Sequence, residues 1–173
     1  MLDLTLKHLD EFKKKHMATW FNPKYIYYNY RCYYDAPEIK ESTWNSHDFI
    51  SLDKEGNVIG NIYYNIDRAK NDAYGLGIIC YDDNSNTIFG RDVLCVIKDI
   101  FEKFHFHKLS CSVVIGNPIE KTYDRLIPKY GGRIVGIEKE EAKLIDGKYY
   151  DVKRYEILRE DYMKAKENNK CTD

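Results

Sequence analysis

Hydrophobic and polar positions recur along the chain with two different periods, and the changes of period mark its elements. From Leu4 to Trp20 the apolar residues Leu6, Leu9, Phe12 and Met17 fall at helical spacing, with Asp10 and Glu11 early and Lys13, Lys14 and Lys15 later. That charge order suits the helix dipole, so an amphipathic helix is predicted, with room for a first strand at Leu2 to Leu6. Asn22-Pro23 ends it, because the residue before proline is pushed out of helical geometry. A tyrosine-rich segment, KYIYYNYRCYY from Lys24 to Tyr34, follows. Pro37 suits a helix start, and a short second helix is expected over Glu38 to Trp44, stopped by Asn45-Ser46.

The period then shortens. His47 to Leu52 and Val58 to Ile66 are β-rich runs separated by DKEGN, whose Gly56-Asn57 supplies the positive φ of a tight hairpin. A charged turn over Asp67 to Asp72 leads to a third strand, Gly75 to Tyr81. A polar turn, DNSNTIFGRD, follows it, and then a helix from Val93 to Phe104 with Leu94, Ile97, Ile100 and Phe101 on one face. A strand that passes through a glycine-bearing turn into a helix aims unpaired N–H groups at the space above the turn, and such groups attract anions. Lys108 to Ile115 reads as a strand ended by Gly116-Asn117-Pro118, and Ile119 to Tyr130 as a helix disturbed by Pro128 and terminated by Gly131-Gly132. Two strands joined at Asp146-Gly147 fill 133–158. Together these predict an α+β (mixed α/β) fold, a mixed sheet with helices on its faces.

At 173 residues this is one domain, assigned to 1–163, with a polar tail over 164–173. Lys plus Arg number 27 against 28 Asp plus Glu, which removes the electrostatic argument for a nucleic-acid or anionic-membrane partner. No run approaches the roughly 20 apolar residues of a membrane span, and the start of the chain lacks a signal-peptide core, so a cytoplasmic protein is expected. The five cysteines show no CxxC spacing and suggest free thiols rather than a zinc site or disulfides. His105 and His107 form an HxH with no further ligand at recognisable spacing, so no metal is expected. Glu138, Glu140 and Glu141 suit a solvated strand edge or the attraction of a cation.

Six stretches carry a more specific signal: WFNP at 20–23, YGLGIICYDDN at 74–84, IFEKFHFHKL at 100–109, GNP at 116–118, YGG at 130–132 and DGKYYDVKRYEIL at 146–158. With the element order, they resemble the GCN5-related N-acetyltransferase (GNAT) superfamily, in the branch of ribosomal-protein-alanine and spermidine N-acetyltransferases. The resemblance implies a mostly antiparallel mixed sheet splayed between two parallel strands. It also implies acetyl-CoA as cosubstrate and direct acetyl transfer to a primary amine: a protein N-terminus, a polyamine or a small molecule. A homodimer is compatible with it. The alternative is a catalytically silent relative that binds CoA or a protein partner.

The family's signature (Gln or Arg, two residues, Gly, one residue, Gly or Ala) aligns with Thr87 to Asp92, where only Gly90 matches. The backbone amides of Ile88, Phe89, Gly90, Arg91, Asp92 and Val93 would cradle the pyrophosphate, with Arg91 adding charge. The pantetheine arm would lie along Gly75 to Tyr81, where an amide of Ile78, Ile79 or Cys80 polarises the thioester carbonyl. Asn117 meets the pantetheine amides or closes an Asx turn before Pro118. Asp124 stands at the family's tyrosine position, which leaves Tyr123 and Tyr130 as candidate acids and Asp72, or a water near Tyr74, as the base. Cys80 and Cys95 read as packing residues, and the tyrosines of 25–34 as an acceptor-side wall or a hydrophobic contact.

Overall fold

The computed structural model describes residues 1–28 and 37–170. Leu2–Leu4 (β1) leads through a 3-10 turn into Leu9–Met17 (α1). Ser46–Leu52 (β2), Val58–Asp67 (β3) and Asp72–Cys80 (β4) form an antiparallel meander. Then come Asn86–Lys98 (α2), Lys108–Val114 (β5), Glu120–Lys129 (α3), Arg133–Lys143 (β6), Tyr149–Leu158 (β7) and Arg159–Lys170 (α4). Among the described residues seven strands lie in the order β1-β2-β3-β4-β5-β7-β6, and of these only the β4–β5 pair runs parallel. This is the mixed, mostly antiparallel sheet expected from the sequence. Its hairpins close where the turn chemistry placed them: Gly56 has φ 86° and Gly147 φ 80°. Asp53 Oδ1 accepts the amides of Glu55 and Asn57 across the first of these turns.

Neighbouring strand residues assign the helices to layers. Ile50 packs with Phe12 of α1, while the next residue, Ser51, donates its hydroxyl to Asp92 of α2 at 2.7 Å. Successive side chains point to opposite faces of a sheet, so α1 and α2 cover opposite sides. The main core joins Ile62, Tyr64, Leu76, Phe89, Phe101 and Ile127 on the α2 side, with Tyr162 of α4 added to it. On the α1 side, Ile26 and Tyr27 cover a smaller cluster of Val114, Ala142, Leu144 and Val152.

Four expectations are corrected. The Glu38–Trp44 helix does not form: the segment has too few apolar positions to bury a face, and an unsupported helix this short is unstable in water. Its end serves the sheet instead, with the Asn45 carbonyl accepting the Ile66 amide at 2.8 Å and the Trp44 carbonyl accepting Arg68 Nε at 2.8 Å. Second, β4 begins at Asp72 rather than Gly75. Third, α2 begins at Asn86 rather than Val93, and passes through a π-helical turn over Asp99–Lys103. Its apolar stripe reaches back to Phe89, whose ring lies over Gly60. Fourth, the chain expected as a tail from 164 is helical through Lys170, where Lys166 Nζ pairs with Glu102 at 2.6 Å. Among the described residues no helix is long and apolar enough to cross a membrane.

Candidate active site

β4 and β5 pair only over Asp72–Tyr74 with Lys108–Ser110, and then part. On their outer sides both stay in the sheet, β4 paired with β3 on either side of a bulge and β5 with β7 along its length, so the parting opens a fork within the sheet. It begins at a bulge. Tyr63 pairs with Gly77 and Asn65 with Tyr74, which leaves Gly75 and Leu76 opposite Tyr64. Gly75 takes φ 63°, a conformation that glycine adopts without steric cost.

The ladder decides which amides face the gap. Tyr81 N–H donates to the Ile59 carbonyl at 2.8 Å. Alternation along an antiparallel pair turns the Ile79 amide the same way, towards β3, and the amides of Ile78 and Cys80 into the fork. Two of the three expected strand donors thus face the gap, and Ile79 does not.

Above the fork, Asp82 organises the start of α2. Its Oδ1 accepts the Asn84 amide at 3.1 Å and its Oδ2 the Ser85 hydroxyl at 2.6 Å. The first-turn amides of Thr87 and Ile88 have no acceptor within the helix, that of Asn86 closes the 3-10 turn over Asp83–Ser85, and those from Phe89 onward bond to carbonyls four residues earlier. The amides available to an anion therefore cluster at the upstream end of the expected stretch. Phe89, Gly90, Arg91, Asp92 and Val93 lie in the helix body, where their N–H groups are occupied. Phe89 is core, Gly90 and Arg91 are exposed, and Asp92 is buried. The Asp92 carboxylate also holds the α-ammonium of Met1 at 3.0 Å. Gly90 misled the sequence register because it resembles a turn glycine, although no neighbouring atom lies within 4 Å of the position of its missing Cβ.

Two residues beyond β5, Gly116 takes φ 98°, and Asn117 closes an Asx turn by accepting the Ile119 amide at 3.1 Å. Its side-chain nitrogen is then the group it can offer to a ligand. The two candidate tyrosines separate along α3. Tyr123 lies one turn into the helix, among the core side chains that include Cys111, the first β5 residue beyond the parallel pairing. Burial raises its pKa far above the usual phenol value, so it stays protonated. Among the described residues its hydroxyl makes no hydrogen bond. Tyr130 lies beyond the end of α3, about 10 Å further along the helix axis, where its ring stacks on Tyr162 of α4 at 6.3 Å. The two are not brought together, and Tyr130 stands at the closed end of the fork.

Cysteine is not set up as a nucleophile. Burial pushes the Cys111 thiol up to about 12 and also raises Cys80, whose Sγ donates to the Asp82 carbonyl at 3.1 Å. Asp72 sits at the closed end beside Lys108 at 3.4 Å, and its Oδ1 is buried without a partner. The Arg159 guanidinium lies 3.2 Å from His105 Nδ1, and among the described residues no group of three or more His, Cys, Asp or Glu could hold a metal ion.

On the α1 side of the fork, Tyr25 donates its hydroxyl to the Cys80 carbonyl at 3.3 Å, and Tyr81 meets His16 Nδ1 at 3.1 Å. Burial lowers the His16 pKa, so the ring is neutral near pH 7. Tyr25 and Tyr81 border a cleft of about 470 Å³ between α1 and the β2–β3 hairpin. Tyr25, Tyr27 and Tyr28 are the described part of the tyrosine-rich segment; Tyr30, Tyr33 and Tyr34 lie outside the described residues. Sequence reasoning missed His16 on α1 and Lys153 and Tyr155 on β7, because the groups they meet lie on other elements far along the chain.

A mostly antiparallel sheet forked between its two parallel strands, with a helix entered directly from one arm, is the GNAT fold, and structures of that superfamily match this chain. The spermidine/spermine N-acetyltransferase SpeG from Vibrio cholerae, in complex with manganese ions, is 26% identical over 70% of this chain and 70% of its own, with a TM-score of 0.59. The spermidine N-acetyltransferase from Vibrio cholerae in complex with CoA and spermine is 22% identical over 94% of this chain and 97% of its own, with a TM-score of 0.70. A probable acetyltransferase is 18% identical over 68% of this chain and 64% of its own, with a TM-score of 0.57. No protein-family model and no curated protein sequence matches the chain.

Proposed function

We propose that this protein is an acetyl-CoA-dependent N-acetyltransferase that acylates a primary amine directly. The observation that carries the reading is the fork: two parallel strands that separate at a bulge and leave the Ile78 and Cys80 amides facing the gap. An extended ligand with its own amides fits such open strand edges, and its phosphates fit the free first-turn amides of α2 at Thr87 and Ile88. Bound acetyl-CoA supplies the acetyl group as a thioester. The amides of Ile78 and Cys80 stabilise negative charge that develops on a carbonyl oxygen held in the fork. The Asn117 side chain steadies the ligand from the opposite arm. The Tyr123 hydroxyl holds the proton that a departing thiolate requires. The raised thiols of Cys80 and Cys111 favour direct transfer over an acyl-cysteine route.

The likeness to spermidine N-acetyltransferases makes polyamines the first acceptors to test, ahead of protein N-termini and other small amines. Thermal unfolding with acetyl-CoA, CoA and ATP, followed by thiol release on a panel of amines, tests the reading. At a hundredfold excess over its Kd, acetyl-CoA should add about 2.7 kcal/mol of stability, and ATP much less. Release of CoA with an amine then supports catalysis. Binding without release on any amine favours a silent CoA-binding protein, the alternative raised by the eroded signature, and the absence of binding overturns both.

A further inference from the structure

Beneath α3 the polar contacts form one connected clamp. Glu120, in the first turn, accepts the Gly116 amide through Oε2 at 3.0 Å and pairs through Oε1 with Lys153 Nζ at 2.5 Å. The same ammonium pairs with Asp124 Oδ2 at 2.9 Å, and Asp124 Oδ1 accepts the Tyr155 hydroxyl at 2.8 Å. The Tyr155 ring stands edge-on to Tyr123, 5.7 Å between centroids. Lys153 and Tyr155 are two residues apart on β7 and so share a face. The Lys153 side chain is only 12% exposed and that of Glu120 17%, which shields this pair from the screening that weakens surface bridges, while the pair with Asp124, 39% exposed, is more open to water. The Gly116 amide and the Lys153 ammonium hold Glu120 below the usual carboxylate range, and Lys153 does the same for Asp124.

The helix needs this support. Pro128 lies inside α3, so it donates no N–H to the carbonyl of Asp124, four residues before it, and its ring crowds that carbonyl. At the other end, no side chain caps the helix at Ile119. A ten-residue helix with a weak start and an interrupted end does not hold a side chain in register by itself.

We propose that Lys153 is a positioning residue: by drawing Glu120 and Asp124 onto β7, it fixes the first turns of α3 and thereby aims the Tyr123 hydroxyl into the fork. This rests on the reading of Tyr123 as the proton donor. It also accounts for the acid at Asp124, where the resemblance calls for a tyrosine: the carboxylate belongs to the clamp, and the donor is its neighbour.

The test compares Lys153→Met, Lys153→Arg, Tyr123→Phe and the double variant K153M/Y123F in the full chain. Turnover is measured at saturating acetyl-CoA and amine, and amide hydrogen exchange across 117–124 alongside it. K153M should lower kcat on the order of tenfold to a hundredfold, the cost of a misplaced catalytic group, with the KM for acetyl-CoA nearly unchanged. K153R should recover most of that loss. K153M/Y123F should be no slower than Y123F alone, because a clamp has nothing to aim once the hydroxyl is gone. Exchange over 117–124 should rise in K153M while that of β3 does not. Losses that multiply in the double variant, or exchange over 117–124 that stays at the wild-type rate, overturn the clamp and leave the donor reading intact. Full activity in Y123F removes the donor itself. If K153M does not fold, Glu120→Gln carries the same comparison.

Discussion

At the scale of single residues, one glycine and one aspartate separate the roles that the sequence left merged. A Cβ at Gly60 would stand 2.3 Å from the Phe89 ring and 2.7 Å from the Ile79 carbonyl, so the close approach of α2 to the sheet depends on its absence. Gly60→Ala should cost about 1–3 kcal/mol of stability by overpacking, read from the urea midpoint. Asp92, aligned with the family signature, is a buried acceptor for Ser51. Asp92→Ala should cost about 1–3 kcal/mol by stranding that hydroxyl, while the acetyl-CoA affinity stays at its wild-type value. A large loss of affinity with little loss of stability would restore Asp92 to the cofactor site. Residue types were visible in the sequence, but their partners were not: nothing local to Asp92 announces Ser51, 41 positions away.

At the scale of elements, the hairpins followed from local signals, and the fork was expected from the family resemblance. Gly56 and Gly147 fixed two turns, and the β-rich runs fixed the strands that those turns join. The start of α2 did not follow, because DNSNT is polar and Gly90 reads as a turn. Only contact with Gly60 shows that Phe89 already belongs to the helix stripe. The short helix expected at Glu38–Trp44 failed for the opposite reason, since the local signals favoured it and its carbonyls are used by β3 and Arg68 instead. The corrected boundary makes its own prediction. Proline is tolerated in the first turn of a helix, where the N–H has no intrahelical partner, so Thr87→Pro should leave folding nearly intact while removing one cradle amide. The loss of one hydrogen bond to a charged group should weaken acetyl-CoA binding by about 1.5–3 kcal/mol, measurable by calorimetric titration.

At the scale of the whole molecule, acid sensitivity follows from the buried histidines. Burial lowers the pKa of His16 and His47, and His47 Nδ1 lies 2.5 Å from the Tyr64 hydroxyl in an aromatic cluster with Phe49 and Phe104. A depressed folded pKa means that the unfolded chain takes up protons first, as pH falls through the ordinary histidine value of about 6.5. Their contribution is therefore present above that value and lost below it. Glu120 and Asp124, held low by Lys153 and their hydrogen bonds, add a second loss below about pH 4. Urea midpoints should fall between pH 7 and pH 5, and His47→Phe should flatten that part of the curve.

The central claim is that one ligand spans the arms of the fork and the first turn of α2. Amide-resolved NMR titration with acetyl-CoA tests it most directly. The account predicts that the resonances of Ile78, Cys80, Thr87 and Ile88 move together along a single binding curve, while those of Gly90–Val93 move little. Saturable shifts confined to the cleft between α1 and the β2–β3 hairpin, with the fork amides unmoved, would contradict it.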